Sequence, residues 1–325
     1  MEKSVKHVSV PVFVTHEGCP NTCLFCNQKT ISGKTRFSLE KVREEIDAHL
    51  STLAGNEDVQ IAFFGGSFTA IDRDVMLSLL AISDEYVEKG LVKSVRLSTR
   101  PDAVEQDVLD ILKEHHVRDI ELGIQSMDDR VLELNKRGHT TQVSYDAMRR
   151  VVENGFSLTG QMMTGMYGAD AKSEIETARQ IIKAGAVSAR IYPTVVFRDT
   201  GLEKVMEKGL FTPLTLDQSV ERTYSVYKVL REGGVKVLRV GLCSSDGVRG
   251  DEVLSPYHEA MGELVMSREA RDYIEDIVKK GAYCQRSVVR IPVSPKNVSI
   301  FSGHKKANKK YIEEKYGVVL KFIEE

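Results

Sequence analysis

The hydrophobic residues along the first 195 positions alternate between two spacings. Short apolar runs predict β-strands, and apolar residues three or four positions apart, such as Leu39, Val42 and Ile46, predict amphipathic helices. Strands are predicted at 8–14, 59–64, 95–99, 119–124, 158–162 and 189–196, with helical segments between them, among them 104–115, 128–153 and 171–184. Six strand–helix units in succession predict a parallel sheet with helices on its outer face.

Two prolines bear on how this sheet is arranged, since the order of the elements fits either a doubly wound sheet or an incomplete barrel. Pro11 and Pro193 lie inside the first and last predicted strands, and proline is tolerated in sheets mainly at edges. A closed barrel has no edges, so the prolines favour an open one. The predicted α/β fold is therefore an open six-stranded (β/α)6 partial TIM-type barrel.

Beyond residue 200 the pattern changes. A helix at 216–232 ends before Gly233-Gly234, a short strand follows at 235–240, and residues 257–280 have helical spacing. From about residue 286 the pattern predicts strand–strand–helix–strand. We expect a barrel over 1–240, a helical extension over 241–285 and a small α+β tail over 286–325.

The composition is that of a globular chain. Of its 325 residues 42% are hydrophobic, and 45 basic side chains nearly balance 47 acidic ones, for a net charge of −2. A near-neutral chain has no overall attraction to nucleic acid or to an anionic membrane. The N-terminus lacks the apolar core of a signal peptide, and no apolar run approaches the ~18 residues of a membrane span. We expect a cytoplasmic protein with no membrane partner.

Three of the five cysteines lie within eight residues, and an odd total argues against a disulfide framework. Cys19, Cys23 and Cys26 have the spacing C-x3-C-x2-C in a polar loop at the carboxyl end of the first strand, where (β/α) barrels carry their chemistry. Three thiolates at this spacing suit three irons of a [4Fe–4S] cluster, which leaves the fourth iron open to a small molecule. A structural zinc site with His16 as the fourth ligand and a set of inert buried cysteines are the alternatives.

Several further motifs follow along the chain. Together with the cysteine loop they read PVFVTHEGCPNTCLFCNQ, AFFGGSFTAI, RLSTRPD, IELGIQSMDDRVL, RGHT and GQMMTGMYG. With these motifs residues 8–265 resemble the radical S-adenosylmethionine (SAM) enzymes, most closely the radical domain of the Elongator catalytic-subunit-like group and more distantly the oxygen-independent coproporphyrinogen oxidases. The resemblance implies an enzyme that reductively cleaves SAM to a 5′-deoxyadenosyl radical, which abstracts hydrogen from a substrate. It also implies an electron donor such as flavodoxin or ferredoxin.

The same resemblance assigns cofactor contacts to residues at the strand ends. The Gly-Gly pair after the second strand is expected to bring backbone carbonyls close to the amine of SAM, since glycine has no Cβ in the way. Arg137 is expected to pair with the SAM carboxylate, whereas Ser98 and Gln161 align where the coproporphyrinogen oxidases have acidic residues. The full set of implied contacts is Gly65, Gly66, Ser67, Ser98, Gln125, Arg137 and Gln161.

Two features near the C-terminus bear on the substrate. Tyr257 and His258 match an aromatic–His pair of the Elongator-like proteins and are candidate catalytic groups, although a capping or interface role is the alternative for His258. The stretch 303–310 carries four lysines at a predicted helix start, either a patch for RNA phosphates or a solvated helix face.

The sequence lacks one feature of the Elongator reaction. No Q/R-x-x-G-x-G/A acetyl-CoA motif appears, and the residues after 285 are too few for an acetyltransferase domain. We therefore expect related radical chemistry on an RNA, a peptide or a small metabolite rather than the complete Elongator reaction. A non-catalytic barrel protein that binds zinc and RNA is the alternative function.

Overall fold

The computed structural model describes residues 6–14, 19, 23–26, 38–55, 57–242 and 252–324. Seven parallel strands follow one another in chain order, and each pairs only with its neighbours, so that the sheet curls into an open half-barrel. The strands are β1 (His7–Phe13), β2 (Asp58–Phe64), β3 (Ser94–Thr99), β4 (Val117–Gln125), β5 (Ser157–Thr164), β6 (Ser188–Pro193) and β7 (Lys236–Val240).

The open barrel is confirmed, but it has seven strands where the sequence pattern predicted six. The short strand predicted at 235–240 joins the sheet as β7, with Ala189 opposite Val237 and Ile191 opposite Val240. Pro11 lies in the edge strand β1, as proline chemistry requires. Pro193 is tolerated in a strand that is not an edge because it lies beyond the last residue pair between β6 and β7.

The helices pack on the outer face of the sheet. Those of the barrel are α1 (Leu39–Leu50), α2 (Arg73–Glu88), α3 (Gln106–Glu114), α4 (Asp129–Leu134), α5 (Thr141–Glu153), α6 (Ala171–Lys183), α7 (Gly201–Glu207) and α8 (Leu216–Glu232). The single helix predicted over 128–153 is wrong, because Lys136 and Gly138 have positive φ angles of 54° and 79° and interrupt it. Thr140 then accepts a hydrogen bond from the Val143 amide and starts α5.

The two faces of β4 show how the barrel is built. Ile120, Leu122 and Ile124 point to the helices and are fully buried in the apolar core. Glu121 lies on the other face, inside the barrel, and pairs there with Arg190 of β6 at 2.8 Å. Parallel strands covered on both faces normally carry apolar residues on both. A polar barrel interior is therefore suited to a polar ligand rather than to a packed core.

The C-terminal region adds a second, smaller apolar cluster. It consists of α9 (Met261–Lys280), β8 (Val288–Pro292), α10 (Val298–Ser302), α11 (Ala307–Tyr316) and β9 (Val319–Ile323), with β8 and β9 paired in parallel. Ile274 and Val278 of α9 pack against Ile291 and Leu320 of the two strands. The second of the two strands predicted before the tail helix is wrong, since the short helix α10 occupies the segment between β8 and α11. No helix within the described ranges combines the length and the apolar character that crossing a membrane demands.

Candidate active site at the carboxyl ends of the strands

Residues 23–26 of the cysteine loop are held by backbone hydrogen bonds on two sides. The Leu24 amide donates to the Asn135 carbonyl at 3.1 Å, and the Leu24 carbonyl accepts from the Leu202 amide at 2.8 Å. The Cys26 amide donates to the Cys23 carbonyl at 3.1 Å and closes a tight turn. Residues 23–26 are thereby attached both to the α4–α5 connection and to the start of α7.

The three predicted cluster ligands form no disulfide and have different surroundings. Cys23 is buried, whereas Cys19 and Cys26 are exposed. The Cys19 sulfur lies 3.3 Å from the Ser67 hydroxyl oxygen, just beyond β2. Ser67 is itself buried, and Gly65, two residues before it, has a φ of 99° that favours glycine. Cys19 and the predicted Gly65-Gly66-Ser67 turn therefore meet at the same edge of the sheet.

Arg137 connects the cysteine loop to β4. Its Nη1 donates to the Cys23 sulfur at 3.1 Å, and its Nη2 donates to the Gly123 carbonyl at 2.6 Å. Arg137 is buried, and a buried guanidinium requires acceptors of this kind. The predicted pairing of Arg137 with a cofactor carboxylate remains a prediction, but its position beside a predicted cluster ligand is a feature of the structure.

Because Gly123 has no side chain, the side chains of Arg137 and Gln125 can occupy the space beside it. A Cβ atom on Gly123 would lie 3.0 Å from the Gln125 Nε2 and 3.5 Å from the Arg137 Nη2. Gln125, at the end of β4, is buried and has a positive φ of 65°, which is uncommon for a residue other than glycine. Strained backbone of this kind concentrates at functional sites. The sequence analysis did not single out Gly123, because only the fold shows which side chains pass over it.

Arg100 supports Arg137 from β3. Its Nε and Nη2 donate to the two carboxylate oxygens of Asp102 at 2.8 and 2.9 Å, and Nη2 also donates to the Arg137 carbonyl at 2.7 Å. Burial acts to raise the pKa of Asp102, but hydrogen bonds and charge from Arg100 outweigh it and lower this pKa. Both residues stand in the RLSTRPD motif, yet neither was assigned a role from the sequence.

The other two predicted cofactor contacts face the barrel interior. Ser98 of β3 lies opposite Glu121, and Gln161 of β5 lies between Gly123 and Arg190 in the strand register. Gln161 is therefore level with the glycine over which Arg137 passes. Their proposed contacts to SAM remain predictions.

His139 is a buried residue of the site that sequence reasoning missed. Its Nδ1 lies 3.2 Å from the Ser144 hydroxyl and 3.4 Å from the Thr140 carbonyl. Burial, together with the positive charge of Arg137, lowers the pKa of His139 from 6.5 to about 4. The imidazole is therefore neutral at physiological pH. The sequence feature that could have identified His139 is its place in the RGHT motif, two residues after Arg137.

Tyr257 and His258 are adjacent in sequence but lie in different surroundings. Tyr257 packs against Val195 and Phe197, just past the end of β6. The His258 Nδ1 accepts from the Ala260 amide at 3.1 Å, and its ring lies 5.5 Å from that of His304 in the tail. The capping alternative for His258 therefore has a structural basis, and the catalytic assignment of either residue remains a prediction.

Two features show whether this edge of the sheet could hold an iron–sulfur cluster and SAM: its metal-ligating side chains and its buried polar atoms. Within the ranges described, no three cysteine, histidine or acidic side chains lie together as a metal site; residues 20–22 between the first two cysteines, and His16, lie outside those ranges. Buried polar atoms are normally hydrogen-bonded, yet several at or near these strand ends have no partner among the described residues, among them Ser98 Oγ, Arg100 Nη1, Gln125 Oε1 and His139 Nε2. The thiols of Cys19 and Cys23, which contact Ser67 and Arg137 at these strand ends, fit a thiolate-ligated cluster with a polar cofactor.

Two relatives from Methanocaldococcus jannaschii match about two thirds of this chain. A protein described as uncharacterized is 29% identical over 62% of this chain, and tRNA uridine(34) acetyltransferase is 24% identical over 68% of it. The matches cover 66% and 49% of those proteins, so this chain spans between about half and two thirds of their length.

A solved structure and two family profiles complete the comparison. Elp3 from the archaeon Methanocaldococcus infernus, lacking residues 1–46, superposes with a TM-score of 0.65 at 18% identity, covering 87% of this chain and 65% of that one, which shows a common fold. The profile of the Radical SAM superfamily matches residues 13–181, more than half of the chain, and that of the Radical_SAM C-terminal domain matches 187–271. The expected resemblance is confirmed at the level of the superfamily: this chain belongs to the radical SAM superfamily of enzymes.

Proposed function

We propose that Cys19, Cys23 and Cys26 hold a [4Fe–4S] cluster to which SAM binds, and that the enzyme abstracts hydrogen from an RNA substrate, a tRNA.

 The observation that carries the proposal is the contact between Arg137 and Cys23, which places a buried cation beside a predicted cluster ligand at the carboxyl edge of the barrel. When bound, the cluster and SAM supply a carbon-centred radical through one-electron reduction, with a flavodoxin or ferredoxin as the electron donor.

The residues of the chain bind and orient in this proposal. Arg137 keeps one guanidinium edge on the Gly123 carbonyl, so its charge stays at the mouth of the barrel and is available to the SAM carboxylate. Gln125 offers a buried amide oxygen to a donor group of the cofactor. Ser67 places a hydroxyl beside Cys19, where the Gly65-Gly66 turn brings the backbone close. Burial of these groups keeps water from the reacting centre.

Two observations support an RNA substrate. The relative named tRNA uridine(34) acetyltransferase is 24% identical over 68% of this chain. In the tail, Lys305 and Lys306 are exposed and line a cavity of about 370 Å³ together with His258 and His304. Lysines at such a surface suit phosphate groups, and contact there would add a salt-dependent component to RNA affinity.

The experiment is an anaerobic assay of reconstituted enzyme with SAM and a chemical reductant. Release of 5′-deoxyadenosine is measured without substrate, with total tRNA, and with a small-metabolite extract. We expect tRNA to stimulate release several-fold in the wild type, and a Cys23→Ala variant to release none. Stimulation by the metabolite extract but not by tRNA would contradict the RNA substrate, and release by the Cys23→Ala variant at the wild-type rate would contradict the cluster assignment.

A further inference from the structure

Arg100 is a deeply buried cation close to the cysteine loop. One of its guanidinium nitrogens has no hydrogen-bond acceptor among the described residues. Only 3% of the residue is exposed, and three of its donated hydrogen bonds go to Asp102 and to the Arg137 carbonyl. Its Nη1 is also buried and has no partner among the described residues. A buried guanidinium N–H without an acceptor is costly, so a bound group that accepts from it would gain a strong interaction.

The electrostatic surroundings of Arg100 include the cysteines. Burial acts to lower the pKa of Arg100, but Asp102, and more weakly the charges of Cys23 and Cys19, raise it above its usual value. Arg100 is also one hydrogen bond away from Arg137, whose Nη1 contacts the Cys23 sulfur. Asp102 fixes the guanidinium through two hydrogen bonds, so that Arg100 cannot turn its charge away.

We propose that Arg100 is a positioning and tuning residue of the cluster site, and that its Nη1 donates to a sulfur of the cluster bound at Cys19, Cys23 and Cys26. This inference rests on the proposed function, since it requires the cluster. A hydrogen bond from a cation stabilises the reduced cluster, which carries one more negative charge, more than the oxidised one. Arg100 therefore raises the reduction potential and makes the cluster easier to reduce.

The test is the midpoint potential of the reconstituted cluster, measured without SAM by a redox titration followed by electron paramagnetic resonance. We expect Arg100→Gln to weaken the preference for the reduced state about tenfold, which is a shift of about 59 mV to more negative potential for one electron. Arg100→Lys keeps the charge but not the paired donors, and should shift the potential less. Arg150→Gln is the matched control, because Arg150 also holds a loop carbonyl, that of Val104, at 2.9 Å.

A second comparison separates a direct contact from an effect through Arg137. If Arg100 acts on the cluster itself, Arg100→Gln lowers the potential by a similar amount in the wild type and in an Arg137→Gln background. The proposal is overturned if the double variant has the same midpoint potential as Arg137→Gln alone. It is also overturned if the single Arg100→Gln variant has the wild-type midpoint potential. Failure of the wild type to take up iron would overturn the proposed function as well, and is therefore distinguishable from either result.

Discussion

Replacing His139 with glutamine tests whether the site next to Arg137 depends on a neutral, buried imidazole. In the folded protein, burial and the charge of Arg137 lower the pKa of His139 to about 4, while an unfolded histidine titrates near 6.5. Below pH 6.5 the unfolded chain therefore binds a proton that the folded chain does not bind. The stability contributed by this difference is complete above pH 6.5 and is lost as the pH falls toward 4.

The size of the effect follows from the two pKa values. Each unit of difference corresponds to about 1.4 kcal/mol, so the full loss below pH 4 is about 3 kcal/mol. Between pH 7 and pH 5 the unfolded histidine becomes almost fully protonated while the folded one stays neutral. The free energy of unfolding should therefore fall by about 2 kcal/mol over this interval because of His139 alone.

The assay is urea unfolding of the wild type and of His139→Gln at pH 7 and pH 5. The other titrating groups are common to both proteins, so the difference between their pH dependences isolates His139. We expect the wild type to lose about 2 kcal/mol more than the variant over this interval. Equal losses in the two proteins, or a histidine resonance that titrates near 6.5 in the folded state, would refute the reasoning.

Two further substitutions test the support of the site. Gly123→Ala would place a methyl group 3.0 Å from the Gln125 Nε2, which is tighter than an ordinary contact, and we expect it to weaken SAM binding about tenfold by equilibrium dialysis. Gly262→Ala, whose Cβ would lie 3.6 Å from the Val240 carbonyl oxygen, an ordinary contact, should leave binding unchanged. Equal binding by both variants would contradict this role of Gly123. Arg222→Ala would remove the bidentate partner of the buried Glu174 carboxylate, and should reduce the free energy of unfolding by about 3 kcal/mol in a urea titration. A loss under about 1 kcal/mol, typical of an exposed ion pair, would show that the pair does not hold α6 to α8.

The sequence pattern was sufficient for the regular parts of the barrel. Apolar runs at strand spacing identify all seven strands of the sheet, because their outward faces must be buried under helices. The pattern did not show that the last of them joins the sheet, since that depends on its register with β6. It also predicted one continuous helix across 135–140, whereas the helix is interrupted there by two residues with positive φ, Lys136 and Gly138.

The candidate site was predictable where it is encoded locally. Cys19, Cys23 and Cys26 stand within eight residues, and their spacing alone indicates a cluster. The residues that position the site were not predictable, since their contacts join distant parts of the chain: Arg100 and the Arg137 carbonyl are 37 positions apart, and Arg137 and Cys23 are 114 apart. The role of these buried, charged side chains can be recognised only in the folded structure, where the strand ends lie together.

The central claim is that the three cysteines of the loop bind an iron–sulfur cluster, and metal analysis after anaerobic reconstitution tests it most directly. The wild type should contain about four iron and four sulfide atoms per chain. A variant with alanine at Cys19, Cys23 and Cys26 should contain neither, and Cys284→Ala, which removes an exposed thiol between α9 and β8, should match the wild type. Iron and sulfide retained in the triple variant, or one zinc and no iron in the wild type, would contradict the account.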